Sequence, residues 1–162
     1  IEARMKVPRG DGTWPAFWML GARFEEGSED PDRVWPQAGE IDVMEHVGRT
    51  PQVTYGTIHG PGYAGIGSLG GWNTQDFDIA DEFHTYAIEW DAEGIEWFFD
   101  GEPFYDIGPG DIGNREWVYD QPFFLIVNLA LGGRFGKNIA LDLEYPLYLY
   151  VDHIRVYQPT DG

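Results

Sequence analysis

Residues 35–48 read WPQAGEIDVMEHVG, and within them Glu40, Asp42 and Glu45 place three carboxylates in six residues, interleaved with Ile41, Val43 and Met44. Side chains alternate along a β-strand, so Glu40 and Asp42 share one face while Ile41 and Val43 share the other. Strict alternation would send Glu45 to the apolar face, where a buried, unpaired carboxylate is costly. One extra residue near Met44, a β-bulge, returns Glu45 to the face of Glu40 and Asp42. The segment therefore predicts a bulged strand, apolar toward a second layer and acidic toward a concave surface.

The flanking sequence has the same grammar. Residues 1–7 alternate, with Ile1, Ala3, Met5 and Val7 apolar and Glu2, Arg4 and Lys6 polar, as in a half-buried strand. After the turn at Gly10-Asp11-Gly12, residues 13–20 (TWPAFWML) put Trp14, Ala16 and Trp18 on one face, and Pro15 points to an edge or bulged position. Residues 25–33 form an acidic loop, 52–59 a strand, and 60–72 (GPGYAGIGSLGGW) a Gly-rich rim where Tyr63 or Trp72 could meet a ligand. Strands are expected at 84–90 and 95–99, and Asp100-Gly101 is a hairpin signal leading into 103–107. Residues 123–131 (FFLIVNLAL) are apolar on both faces, which predicts a central strand. A long final strand is expected at 147–158. With 22 Gly and 11 Pro punctuating short apolar runs, and a weak helix signal throughout, the fold class is an all-β sandwich of two antiparallel sheets.

Composition excludes several functions. The chain has 162 residues, enough for one domain with a sizeable core, and a net charge of −18. Such a surface repels nucleic acid, anionic membranes and polyanionic glycans, whereas a neutral polysaccharide meets no such barrier. There is no cysteine, so disulfides, thiolate nucleophiles and Cys-based zinc sites are absent. No apolar run is long enough to span a bilayer. Aromatic residues make up 16% of the chain, which suits either an all-β core or a surface that stacks on sugar rings.

Three carboxylates on one face cannot all ionise cheaply. Crowding raises the pKa of at least one, leaving a protonated acid beside an ionised base. Glycoside hydrolysis needs such a pair, and a retaining mechanism sets nucleophile and acid/base about 5–5.5 Å apart. The plainer alternatives are a solvated acidic face or a calcium site. Three acids that need a bulge to align favour chemistry. The Gly-rich stretch 60–72 lacks a following Lys-Ser/Thr, so it is not read as a phosphate loop.

The segment WPQAGEIDVMEHVG resembles the signature of glycoside hydrolase family 16, in its bulged E-x-D-x-x-E branch. GTWPAFWML, TIHGPGY, EFHTYAIEWD, NLALGG and VDHIRVYQ are similar to segments of that family's laminarinases, in the family's order from Ile1 to Gln158. The resemblance implies a concanavalin-like jelly roll with a sugar cleft across its concave sheet. It implies a secreted, extracellular, retaining endo-enzyme acting on β-1,3-glucan (laminarin) or mixed β-1,3-1,4-glucan. Carried over, Glu40 matches the nucleophile, Asp42 the assisting acid and Glu45 the acid/base. Trp35 matches a cleft Trp, and Trp14 and Trp18 a Trp pair of which at least one lines the cleft. His59 matches a His near the leaving-group side, and Asn128 the Asn of N-L-A-x-G-G. The structural alternatives are core for Trp14 or Trp18, a satisfied His for His59 and a backbone partner for Asn128, whereas Trp35, beside Pro36 in a loop, is expected to be exposed.

The family begins before the strand that opens this sequence. The expectation is one catalytic domain over 1–162 lacking its usual N-terminal strands, and monomeric if those strands are present. No cofactor is expected for catalysis. A structural calcium is implied on the convex side, with Asp152 matching one ligand. The competing functions are a relative acting on another β-linked polysaccharide such as agar, a non-catalytic β-glucan-binding domain, and a folded piece without activity. Retention of both Glu40 and Glu45 favours the enzyme.

Overall fold

The computed structural model describes residues 1–158 and is almost entirely β. Its strands are β1 (Glu2–Lys6), β2 (Thr13–Gly21), β3 (Glu40–His46), β4 (Val53–His59), β5 (Leu69–Thr74), β6 (His84–Trp90), β7 (Ile95–Phe99), β8 (Glu102–Ile107), β9 (Phe123–Leu131) and β10 (Tyr150–Arg155). One four-residue helix, α1 (Gly133–Gly136), follows β9. The strands form two five-stranded antiparallel sheets, ordered β10-β1-β6-β7-β8 and β5-β4-β3-β2-β9.

Alternation builds the core between them. In β1, Ala3 and Met5 are buried while Glu2, Arg4 and Lys6 turn outward, as the sequence predicts. Tyr86, Ile88 and Trp97 from the first sheet meet Phe17, Met19, Ile41 and Ile58 from the second. Close approach requires glycine at two places. A Cβ on Gly56 would lie 2.4 Å from the Trp97 ring, and one on Gly71 2.4 Å from the Tyr105 ring.

The bulge in β3 is present. Against β2, Phe17 pairs with Met44 and Trp18 with Asp42, leaving Val43 as the extra residue. Against β4, the register passes from Asp42–Thr57 to Glu45–Tyr55, so Val43 and Met44 together face Gly56. Both are buried, and the Asp42 carbonyl at the bulge accepts the Trp97 indole N–H at 2.9 Å across the core. The donor answers the orphaned-backbone problem that a bulge creates.

Four expectations need correction. β9 is not central: it pairs with β2 and lies at the sheet edge. Its two-sided apolar run reflects a strand whose apolar side chains stay partly open, with Phe124, Leu125 and Val127 exposed. β2 is internal, and Pro15 is tolerated because the β3 ladder begins one residue later, at Ala16–Glu45. The Gly-rich rim holds a strand, β5, in which Gly70 and Gly71 pair with Thr57 and Gly56 of β4. The final strand is shorter than 147–158 and is also an edge, paired with β1.

Candidate active site

The five-stranded sheet with β3 at its middle carries the acids. Directly paired residues share a face, so the register sets Glu40 beside His59, Asp42 beside Thr57, and Glu45 beside Tyr55 and then Trp72. From β2 the same face receives Trp14, Ala16 and Trp18. All three carboxylates are withdrawn from water, Asp42 at 4% and Glu45 at 9% exposure, with Glu40 half-buried.

Each glutamate is held by an indole. Trp35 Nε1–H donates to Glu40 Oε2 at 2.8 Å, and Trp14 Nε1–H donates to Glu45 Oε1 at 2.9 Å. Thr57 Oγ1–H adds a 3.5 Å contact to Glu45 Oε2. His59 Nε2 lies 3.2 Å from Asp42 Oδ2 and 3.5 Å from Glu40 Oε1. The Gly65 N–H donates to His59 Nδ1 at 3.0 Å. With Nδ1 accepting, Nε2 is the ring nitrogen left to carry a proton, and it lies on the side of both carboxylates.

The electrostatics follow from crowding and burial. Desolvation pushes Glu40 up to about 8, with the Asp42 charge adding to it and His59 and Trp35 opposing. Asp42 is held well above the usual carboxylate range by burial first and by Glu45 second. Glu45 is raised by burial, against the pull of Trp14, His59 and Thr57. The protons belong to the cluster rather than to one side chain. Asp42 Oδ2 is buried, and the His59 ring 3.2 Å away makes no well-aligned hydrogen bond to it, so little offsets the desolvation that favours the neutral carboxyl. Once Asp42 is neutral, the charge that lifts Glu40 disappears and Glu40 ionises more readily.

The structure brings Glu40, Asp42, Glu45, Trp35, Trp14 and His59 together. Trp18 Nε1–H donates to Asn128 Oδ1 at 2.7 Å, so the β9 asparagine fixes the half-buried second indole of β2. Trp35 is exposed and tilted against His59, with ring centroids 5.8 Å apart. Trp72 is exposed on β5, whereas Tyr63 is fully buried and bonded to the Glu116 carbonyl, so only Trp72 is available to a ligand. Sequence reading missed Tyr55 and Thr57, although both alternate with His59 on β4, and Phe135, which packs edge-on to Trp14 and Tyr55. It also missed Trp97, whose role depends on the opposite sheet.

Glu45 forms part of the lining of a pocket of about 460 Å³ walled by Trp14, Tyr55, Trp72 and Phe135. A larger open groove of about 640 Å³ runs between residues 6–11 and 140–150 and contains none of the three acids. Asp152 lies on β10, away from this cleft in the other sheet. Its carboxylate accepts from Arg4 Nη1 at 3.0 Å and lies 3.4 Å from His153 Nδ1. A calcium ion takes about six to eight oxygens. A carboxylate flanked by Arg4 and His153 does not fit one among the described residues.

Comparison with known proteins places this geometry in a family. The profile of Glycosyl hydrolases family 16 matches residues 1–140. The chain is 42% identical to a beta-glucanase of Rhodothermus marinus over 98% of its own length and 56% of the relative's. It is 35% identical to glucan endo-1,3-beta-glucosidase A1 of Niallia circulans, again over 98% of this chain but 24% of that protein. The laminarinase catalytic domain of Thermotoga maritima superposes with a TM-score of 0.85 at 39% identity, covering 93% of this chain and 60% of that one. The chain belongs to glycosyl hydrolase family 16, and its two sheets match the family's jelly roll. It spans little more than half of the first relative and about a quarter of the second.

Proposed function

We propose that this chain carries the catalytic centre of a retaining endo-β-1,3-glucanase that also accepts mixed β-1,3-1,4-glucan, and that it works outside the cell. The observation that carries the reading is the bulge at Val43-Met44. It returns Glu45 to the face of Glu40 and Asp42, and each glutamate then has its own indole donor. The relatives named as a beta-glucanase, a glucan endo-1,3-beta-glucosidase and a laminarinase support the substrate class.

In this reading Glu40 attacks the anomeric carbon. The glycosidic C–O bond breaks as Glu45 gives its proton to the departing oxygen, leaving a glycosyl ester on Glu40. Water then attacks the anomeric carbon, Glu45 takes its proton, and Glu40 is released as carboxylate. Asp42, neutral between them, spares Glu40 a neighbouring charge. Trp35, exposed beside Glu40, and Trp72, exposed beyond Glu45, present faces on which sugar rings stack. No cofactor enters these steps.

The test is hydrolysis of laminarin, mixed-linkage glucan and agarose by the chain and by Glu40→Ala and Glu45→Ala. Each substitution should cut kcat by at least about a thousandfold, since the two residues act as a unit. Azide should restore Glu40→Ala through an inverted glycosyl azide. With Glu45→Ala, an activated aryl glycoside should still form the glycosyl ester, and azide should give a product of retained configuration. A folded chain that cuts none of the three polysaccharides would overturn the reading.

A further inference from the structure

Basic side chains are scarce here, 10 against 28 acidic ones. Four of the ten lie against carboxylates: Arg4 on Asp152, Arg9 on Asp78 and Asp81, Arg33 on Glu25 and Arg155 on Glu2. Lys6, Arg23, Arg49 and Arg115 donate to backbone carbonyls. Arg134 and Lys137 have neither an ion pair nor a side-chain hydrogen bond among the described residues. Both are exposed, and both line the pocket that contains Glu45.

Their setting is defined. Arg134 and Lys137 flank Phe135 in the α1 turn. Arg49 steadies that turn by donating to the Phe135 carbonyl at 3.2 and 3.3 Å while its guanidinium sits 5.8 Å from the Phe135 ring centroid. Across the pocket, a Cβ on Gly65 would lie 4.0 Å from Arg134 Nη1, so the guanidinium reaches from the α1 side to the rim between β4 and β5. Among the fourteen residues of the pocket wall, Glu45 is the sole acid. Its own tendency is toward the protonated form, so it opposes an incoming anion weakly.

Resting on the reading of this cleft as a sugar site, we propose that the pocket beside Glu45 is a subsite for a sugar bearing one anionic group, a carboxylate or a sulfate ester. Arg134 and Lys137 are the residues that select it. A guanidinium fork pairs with either group through two N–H donors, and the lysine supplies a second charge. The net charge of −18 repels a dense polyanion, so the ligand is a mostly neutral glucan carrying isolated acid groups. Glu45 donates its proton to the leaving group, which places the charged sugar on the leaving-group side.

The experiment is a fluorescence titration of the chain, reading its pocket tryptophans, with three ligands: neutral laminarin oligosaccharides, the same oligosaccharides oxidised to a carboxylate at one C6, and the same bearing one C6 sulfate. The acidic ligands should bind about three- to tenfold more tightly at low salt. The advantage should shrink at high ionic strength. Arg134→Gln with Lys137→Gln should bring the acidic-to-neutral affinity ratio to one or below, and Arg155→Gln, on the other sheet, should leave that ratio where it was. A ratio of one in the unmodified chain, or one that survives the double substitution, overturns the proposal. Enhancement by only one of the two groups identifies the anion and upholds it. Because binding is read without turnover, a chain that prefers the acidic ligands yet cuts no laminarin would overturn the glucanase reading and leave the subsite standing. One that cuts neutral laminarin with no preference would do the reverse.

Discussion

β3 and β9 belong to the same sheet and are both rich in apolar residues, yet they live in opposite environments. Every residue of β3 after Glu40 is buried, including two acids. β9 has exposed residues on both faces. Leu125 and Val127 of β9 pair with Met19 and Phe17 of β2 and so face the same way. Met19 and Phe17 are 1% and 0% exposed, whereas Leu125 and Val127 are 38% and 37% exposed. The opposing sheet, β10-β1-β6-β7-β8, therefore covers β2 and stops short of β9. Depth beneath a partner layer, more than apolar content, decides which strand can hold charged chemistry rigidly. Three carboxylates stay on one face only because Trp97 and the neighbouring strands fix the bulge from beneath.

The sharpest way to break this contrast is to remove the brace. Trp97→Ala should destabilise the fold by about 3–5 kcal/mol through the cavity alone, and it leaves the Asp42 carbonyl without its donor. Trp97→Phe keeps most of the volume and should cost about 1–3 kcal/mol, with a disproportionate loss of kcat as the bulge relaxes. Urea midpoints and laminarin turnover measure both. If Leu125→Ala on β9 costs as much as Trp97→Ala, the two strands are equally supported and the contrast fails.

A second test uses the charge stored on β3. Glu40 is raised by burial from 4.5 to about 8, so between these values the folded chain binds more protons than the unfolded one. Stability from this group is full below about pH 4.5 and is lost as pH rises toward about 8. Glu40→Gln should therefore be more stable than the unmodified chain near pH 8, by an amount on the order of a few kcal/mol, with no gain near pH 4. Thermal unfolding at both pH values checks it. An equal gain at both would mean that the effect is packing and not ionisation.

A smaller effect should follow from the indole on Glu45. Trp14 N–H favours the ionised form of that acid. Trp14→Phe removes the donor, so protonated Glu45 should persist to higher pH and the alkaline limb of kcat/KM should move up. A KM change with an unmoved limb would reduce Trp14 to a wall of the pocket.

Much of this was legible because it is local. Period-two alternation locates β1, short strand-like runs bounded by turn residues locate β4, β6 and β7, all to within a residue or two, and the cost of burying Glu45 on the apolar face predicts the bulge. The three acids and the glutamate-facing indoles followed from the same strand arithmetic together with the family resemblance. What escaped depends on the other layer. Residues 123–131 announce that they are apolar, not which neighbours reach them, so the sequence alone points to a central strand where the fold has an edge. Gly70 and Gly71 read as loop because glycine is a poor strand former, yet β5 needs small residues there, since a Cβ on Gly70 would meet the Gly56 carbonyl and one on Gly71 the Tyr105 ring. Asp152 matches a calcium ligand by resemblance, and its pairing with Arg4, 148 residues away, is a long-range contact that no local pattern announces.

The mildest intervention falls on β9 itself. Leu125→Thr together with Val127→Thr keeps β-branched or strand-compatible side chains and removes apolar surface from positions more than a third exposed. Each should change stability by no more than about 0.5 kcal/mol, the usual range for surface substitutions. The backbone ladder to β2, and with it the Trp18–Asn128 hydrogen bond, should survive. An edge strand with exposed apolar side chains is a template for association, so the double substitution should lower self-association in sedimentation runs at high protein concentration while the urea midpoint holds. A loss of several kcal/mol would show that these side chains are covered in solution. β9 would then rank with β3 as core, and its exposure would belong to a surface that another segment or another copy occupies.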